Sequence, residues 1–190
     1  MGNIVLFMHT SLDGFAAGLQ GEMRWITVNQ EIFDFVEERI AQTNTALYGR
    51  VTFEMMESYW PTAADKPDAS KHDKVHAAWY KDARKVVLSN TLDQSAFNNT
   101  TVIGGDNYAA AVRKIKEETT GDILLFGSPT AAHALLADSL IDECWIFVNP
   151  VLLGEGKPVF KGIKAQQSLK LVNTHVFSSG VVCLQHEFKR

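Results

Sequence analysis

The sequence predicts an α/β fold of three layers. A mixed, mostly parallel central sheet carries helices on both faces and ends in an antiparallel C-terminal hairpin. Three observations lead there. Short apolar runs alternate with segments of helical period through most of the 190 residues. Several of those runs end in glycine, as strand-to-helix turns do. The final quarter has no helical period and reads as a strand followed by two strands joined at Ser178-Ser179-Gly180.

The elements follow in order. Residues 4–8 form a fully apolar first strand. Thr27 and Gln30 have the spacing of a capping box, and the helix they open puts Ile32, Phe33, Val36 and Ile40 on one face. A second strand at 45–48 runs into Gly49-Arg50 and a short helix through Met55 and Met56. Two prolines and several polar residues make 59–70 a surface loop. A helix over 72–82 and a strand over 85–89 come next, then a strand at 101–103 that stops at Gly104-Gly105. The helix 107–118 leads to the strand 122–126. Pro129 then begins another helix, with Ser128 as its cap. The strand 143–148 and the hairpin 169–177 with 181–188 complete the chain.

Hydrophobic residues make up 46% and charged residues 21%, which fits a folded domain and excludes disorder. No repeat or linker interrupts the pattern, so residues 1–190 are read as a single domain. The net charge of −4, with no basic cluster, gives no reason to expect nucleic acid. No apolar run approaches the roughly 20 residues of a membrane span. The first residues lack the basic flank of a signal peptide, so a cytoplasmic protein is expected. Cys144 and Cys183 fall in apolar strands, where reduced buried thiols are expected.

In an open α/β sheet, ligands bind beyond the carboxyl ends of the strands. The residues found there are Gly49-Arg50-Val51-Thr52, Ser89-Asn90, Gly104-Gly105-Asp106 and Gly127-Ser128-Pro129-Thr130. Helix N-termini with free amides attract phosphate, and several on one sheet edge suit an extended polyphosphate such as a dinucleotide. Arg50 adds a planar fork matched to phosphate. Neither a G-x-G-x-x-G fingerprint nor a Walker A loop is present.

Ser11-Leu12-Asp13-Gly14-Phe15-Ala16, Gly49-Arg50-Val51-Thr52-Phe53-Glu54 and Val86-Val87-Leu88-Ser89 resemble the dihydrofolate reductase-like superfamily. Leu140-Ile141-Asp142-Glu143, Pro150 through Gly156, and Trp25-Ile26-Thr27 resemble its riboflavin-biosynthesis branch, the C-terminal half of bifunctional deaminase-reductases. The similarity runs in order along nearly the whole chain. It implies an NADPH site. Ala16 and Ala17 would lie by the nicotinamide, and Gly49, Arg50, Val51 and Thr52 would hold phosphate, with Arg50 on the 2′-phosphate. Ser89 and Asn90 would lie by the adenosine ribose, with Gly104 on the neighbouring strand end. Gly127, Ser128, Thr130 and Ala131 would cradle the pyrophosphate. Asp13 and Trp25 are the candidate substrate contacts.

The activity this resemblance implies is hydride transfer to a small heterocyclic or sugar-derived substrate, as in 5-amino-6-(5-phosphoribosylamino)uracil reductase. It names no catalytic side chain. It also implies a homodimer, formed through the late strands around Trp145 and Phe147. A second reading keeps the fold for nucleotide or small-molecule binding without turnover. That reading follows from two departures: no carboxylate occupies the pterin-anchoring position on the first helix, where Asp34 is one place off and points outward, and no counterpart of the pyrimidine-site segment appears near 62–68. Gly127-Ser128 also stands where dihydrofolate reductases have a Gly-Gly pair joined by a cis peptide, a bond that costs several kcal/mol outside proline. Of the remaining signals, His72 and His76 are spaced like metal ligands but lack a third partner, and read as a solvated helix face. His9 reads as a satisfied core histidine, and Trp79-Tyr80 as packing.

Overall fold

The computed structural model describes residues 1–189. Eight strands form one sheet: β1 (Ile4–Ser11), β3 (Thr45–Gly49), β4 (Arg84–Leu88), β5 (Thr100–Ile103), β6 (Ile123–Phe126), β7 (Glu143–Asn149), β9 (Leu169–Val176) and β10 (Val182–Phe188). Their order is β5-β4-β3-β6-β1-β7-β10-β9. Pairing is parallel from β5 across to β7, and antiparallel where β10 meets β7 and β9. Two further strands, β2 (Phe15–Ala17) and β8 (Lys157–Pro158), pair with each other beside the main sheet. This is the mixed α/β architecture that the alternating pattern predicts.

Period-two alternation explains why β1 sits at the centre. Ile4, Leu6 and Met8 pack on one face with Val112 and Ile115 of α5 (Tyr108–Glu118) and with Leu135 and Leu136 of α6 (Pro129–Ala137). Val5 and Phe7 pack on the other with Ile32 and Ile40 of α1 (Gln30–Ala41). A strand apolar on both faces belongs in the middle of a covered sheet. On the α1 side lie also α2 (Arg50–Glu57), whose Phe53 is buried, and α4 (Lys71–Asp82), whose Tyr80 is buried.

Three local readings change. The cap of α1 is Asn29, whose side chain accepts from the Ile32 amide at 3.0 Å, not Thr27. Thr27 instead donates its amide to Asn149 Oδ1 at 2.9 Å, a tertiary bond with no local signature. The stretch 59–70 contains a short helix, α3 (Trp60–Ala63), with proline in its first turn. α4 begins one residue early, because Ser70 and Asp73 form a full capping box.

Phe147 is buried and stacks on His9 at 4.9 Å, and Trp145 stacks on Phe7 beneath Arg39. The edge strand β9 carries exposed apolar side chains at Leu171, Val172 and Val176. Cys144 and Cys183 are free and buried, and burial pushes both thiols up to about 12. No helix among the described residues is long and apolar enough to cross a membrane.

Candidate functional site

A cavity of about 1660 Å³ opens at the carboxyl ends of the parallel strands and continues beneath α1. One wall is made of strand-end loops. Gly49, Arg50, Val51 and Thr52 line it where β3 turns into α2. Ser89, Asn90 and Gly104 line it beyond β4 and β5, and Gly127, Ser128, Thr130 and Ala131 where β6 turns into α6. Ala16 and Ala17 face the same cavity from β2. Every position that the sequence assigns to a cofactor therefore borders one space.

The loops are tied to each other by short bonds. The Gly49 amide donates to Ser128 Oγ at 2.8 Å, and that hydroxyl donates to the Phe126 carbonyl at 3.1 Å. So Ser128 links two strand ends and makes no side-chain cap to α6, contrary to the sequence expectation. Gly127 and Ser128 both have left-handed backbones, at φ 51° and 56°. No cis peptide occurs among the described residues, so the peptide between them is trans. A Cβ on Gly104 would stand 2.5 Å from the Ser89 carbonyl oxygen, so only glycine lets these two loops meet. Asn90 Oδ1 accepts from the Gly105 amide at 2.6 Å, and Ser89 Oγ accepts from the amides of Thr91 and Leu92. That leaves the Ser89 O–H to donate.

This donor set fits a phosphate-bearing group: hydroxyls on Thr52, Ser89 and Thr130, amides at the starts of two helices, and one guanidinium. Arg50 is held by both oxygens of Glu54, at 2.9 and 2.8 Å. Both side chains are nearly half exposed, so the pair is weak and a phosphate can displace the carboxylate.

The second wall is made of side chains that point inward. Ile32, Val36 and Ile40 recur along one face of α1, opposite Phe7, Phe126 and Phe147 on the sheet. Trp60 of α3 and His72 and His76 of α4 close the end beside Phe33. The Phe33 and His72 rings stack at 3.7 Å, and Trp60 lies 4.0 Å from His76. Both histidines are buried, which corrects the solvated-face reading. Asp73 and Tyr59 bond each other at the outer side of α4, turning the histidine face toward the sheet. Burial pulls His76 down to about 3 and His9 to about 4, so both rings are neutral near pH 7. Asn149, itself buried, holds His9 by a 3.3 Å contact to Nδ1 and donates to the Phe147 carbonyl.

Neither candidate substrate contact lines the cavity. Asp13 accepts from the amides of Gly154 and Leu153, clasping the β1–β2 turn to the loop before β8. The Ser11 hydroxyl and those amides hold its carboxyl below the usual range. Trp25 donates its indole N–H to the Glu22 carbonyl, while its neighbours Met23 and Ile26 face the cavity. Asp34 is exposed, bonded to Gln30 and near Lys71, as the sequence suggests. Sequence reasoning missed Asn149 and His133. His133 reaches the Pro158 and Val159 carbonyls and so fixes the small sheet that carries Ala16 and Ala17.

Comparison with known proteins adds relatives to this geometry. The RibD C-terminal domain family matches residues 3–183. The uncharacterized protein YyaP of Bacillus subtilis (strain 168) is 36% identical over 183 residues, covering 94% of this chain and 91% of that protein. Among solved structures, a putative riboflavin biosynthesis protein from Shewanella sp. PV-4 superposes with a TM-score of 0.74, at 21% identity and 99% coverage of both chains. Dihydrofolate reductase from Enterococcus faecalis, complexed with NADP(H), superposes at 0.62, with 15% identity and coverage of 100% of this chain and 98% of that one. The fold is thus dihydrofolate reductase-like.

Proposed function

Because this chain belongs to the RibD C-terminal domain family, we propose that it is an NADPH-dependent reductase. It transfers hydride to a small heterocyclic or sugar-derived substrate. One observation carries the reading: the loops expected to hold a dinucleotide border a single cavity, and that cavity continues into a deep chamber beside them. NADPH, when bound, supplies the hydride. The residues of this chain supply position and exclude water. Arg50 exchanges Glu54 for the adenosine-side phosphate, while Thr52, Ser89 and Thr130 donate hydroxyls along the groove. Ala16 and Ala17 offer a flat backbone surface without bulk for the nicotinamide. His9 stays neutral and serves as a fixed polar surface, not as a proton source.

The protein acts in the cytoplasm and pairs as a homodimer along β9, whose apolar side chains are exposed at the sheet edge. Light scattering of the wild type against a Val172→Lys variant tests the dimer, which the variant should dissolve. The decisive test of function is calorimetric titration with NADPH and NADH in parallel. NADPH-selective binding is expected, followed by NADPH oxidation when a reducible heterocycle is added. Binding without oxidation across a screen of pyrimidines, pterins and carbonyl compounds would favour a binding protein on this fold. No binding of either nucleotide would end the reductase reading.

A further inference from the structure

His9 is a polar side chain on the sheet face that α1 covers. It follows Phe7 by two residues on β1, so the two share one face of the strand, and its ring stacks on Phe147 at 4.9 Å. Burial keeps the ring neutral at pH 7, pulling it down to about 4, so it carries one N–H proton. Asn149 settles which nitrogen holds that proton. Its Oδ1 accepts the Thr27 amide at 2.9 Å, and its Nδ2 donates to the carbonyls of Phe147 and Thr10 at 3.1 and 3.3 Å. A backbone N–H on one side and two carbonyl oxygens on the other allow the Asn149 amide one orientation. The atom that meets His9 Nδ1 at 3.3 Å is therefore a donor nitrogen. Nδ1 accepts, and the proton lies on Nε2.

That N–H is open to the cavity. Among the described residues, the buried side-chain polar atoms without a partner are Arg39 Nε, His72 Nδ1 and Ser179 Oγ. His9 Nε2 bonds to no protein atom and yet is not one of them, so it keeps access to the cavity that His9 borders. Stacking on Phe147 and the Asn149 bond fix the direction of the ring, so the donor needs no ordering when a ligand arrives. The same strand anchors the expected nicotinamide surface. Two residues beyond His9, Ser11 Oγ accepts the Phe15 amide at 3.0 Å and ties β2, with Ala16 and Ala17, to β1.

We propose that the Nε2–H of His9 is a catalytic hydrogen-bond donor to the carbonyl oxygen or imine nitrogen of the group being reduced, and that Asn149 is the positioning residue that keeps the proton on Nε2. The catalytic part rests on the reductase reading; the tautomer and the open donor do not. When hydride from NADPH reaches the carbonyl or imine carbon, the π pair of that bond moves to the oxygen or nitrogen. A fixed N–H aimed at this atom stabilises the charge that develops there, in a site of low polarity where such a bond is strongest. His9 keeps its own proton, and water supplies the one that completes the product. The substrate class follows: the reducible group carries a lone pair at the atom that gains charge, and an isolated C=C bond is not reduced.

The first measurement is histidine tautomer state by long-range ¹⁵N–¹H spectroscopy on the intact, ¹⁵N-histidine-labelled protein at pH 7, with His9→Gln assigning the His9 signals. The Nε2–H form is expected, and an Nδ1–H form in the wild type overturns the proposal. The second uses quinoline, whose ring nitrogen only accepts, against naphthalene, which offers no acceptor. Quinoline should shift the His9 Nε2 signal and bind about fivefold more tightly than naphthalene, a preference that His9→Phe erases while keeping the stack on Phe147. No preference in the wild type, or one that survives in His9→Phe, also overturns it. The third is NADPH oxidation with the reducible compounds of the screen above. His9→Phe should lower kcat roughly a hundredfold with NADPH affinity within twofold, and His9→Gln, which keeps an N–H donor, should recover part of the loss. An undiminished kcat in His9→Phe refutes the catalytic role. If His9→Phe does not fold by circular dichroism, the tautomer and the quinoline shift decide on the wild type alone. An Nε2–H donor that meets quinoline in a protein that neither binds nor oxidises NADPH ends the reductase reading and leaves the donor standing.

Discussion

The two walls of the cavity are built by opposite means. The loop wall uses backbone amides, short hydroxyl side chains and glycines that let chains approach closely, all at strand ends. The chamber wall uses large side chains sent inward from helices and from the sheet face. The first wall offers amides, hydroxyls and a guanidinium, with only small apolar side chains such as Ala16, Ala17, Val51 and Ala131 between them. The second is apolar, and its polar rings are neutral. They should therefore fail under different conditions, and that is how the comparison can be broken.

Acid should attack the chamber first. Burial holds His9 at about 4 and His76 at about 3, against an unfolded value near 6.5. Between those limits the unfolded chain binds more protons than the folded one, so stability falls as pH falls, starting near 6.5 and continuing to the folded values. Each histidine should remove about 2 kcal/mol between pH 7 and 4.5 by this linkage. Urea unfolding at the two pH values measures it, and His76→Phe should remove about half of the drop. A stability that does not change over this range would mean that the rings reach water, and the chamber would lose its low polarity.

On the loop wall the largest single effect should come from Arg50→Ala. Loss of a charge-assisted pair costs about 1.5–3 kcal/mol, or roughly ten- to a hundredfold in NADPH affinity. NADH should be little affected, since it lacks the 2′-phosphate. Glu54→Gln should move NADPH affinity upward by a smaller factor, because the competing carboxylate is gone. Equal losses for both nucleotides in Arg50→Ala would remove the guanidinium from the 2′-phosphate. Gly104→Ala comes next. Its methyl would meet the Ser89 carbonyl at 2.5 Å, so overpacking of about 1–3 kcal/mol is expected, with weakened nucleotide binding, read by urea melts and calorimetry.

The same contrast explains what the sequence reveals. A glycine followed by a hydroxyl or basic residue at a strand end has a local signature, so Gly49, Arg50, Gly104 and Gly127 could be placed on one edge from the order of elements alone. Strand β1 was equally legible, since an unbroken apolar run fits only a strand covered on both faces. The chamber had no such signature. Ile32, Val36 and Ile40 at helical spacing look identical whether they meet a packed core or line a cavity. His72 and His76 look like a polar face until the Ser70–Asp73 box and the Tyr59 bond orient the helix. The bonds of Asp13 and Trp25 were hidden for a related reason. Their partners, Gly154 and Glu22, lie in loops whose approach is set by tertiary packing.

Ser128 gives the finest test of the loop wall, because two opposing effects meet in one residue. Its backbone is left-handed, at φ 56°, which costs a residue with a Cβ about 1–2 kcal/mol. Its hydroxyl accepts from the Gly49 amide, a bond worth about 1 kcal/mol. Ser128→Ala keeps the strain and loses the bond, so it should be destabilised by about 1 kcal/mol. Ser128→Gly loses the same bond but relieves the strain, offset in part by the freedom glycine adds to the unfolded chain. It should fall within about 1 kcal/mol of the parent and above the alanine variant. If alanine and glycine prove equal, the left-handed turn costs nothing here. If both match the parent, the β3 and β6 loops are held together by packing and not by this bond, and the loop wall would resemble the chamber wall more closely than its chemistry suggests.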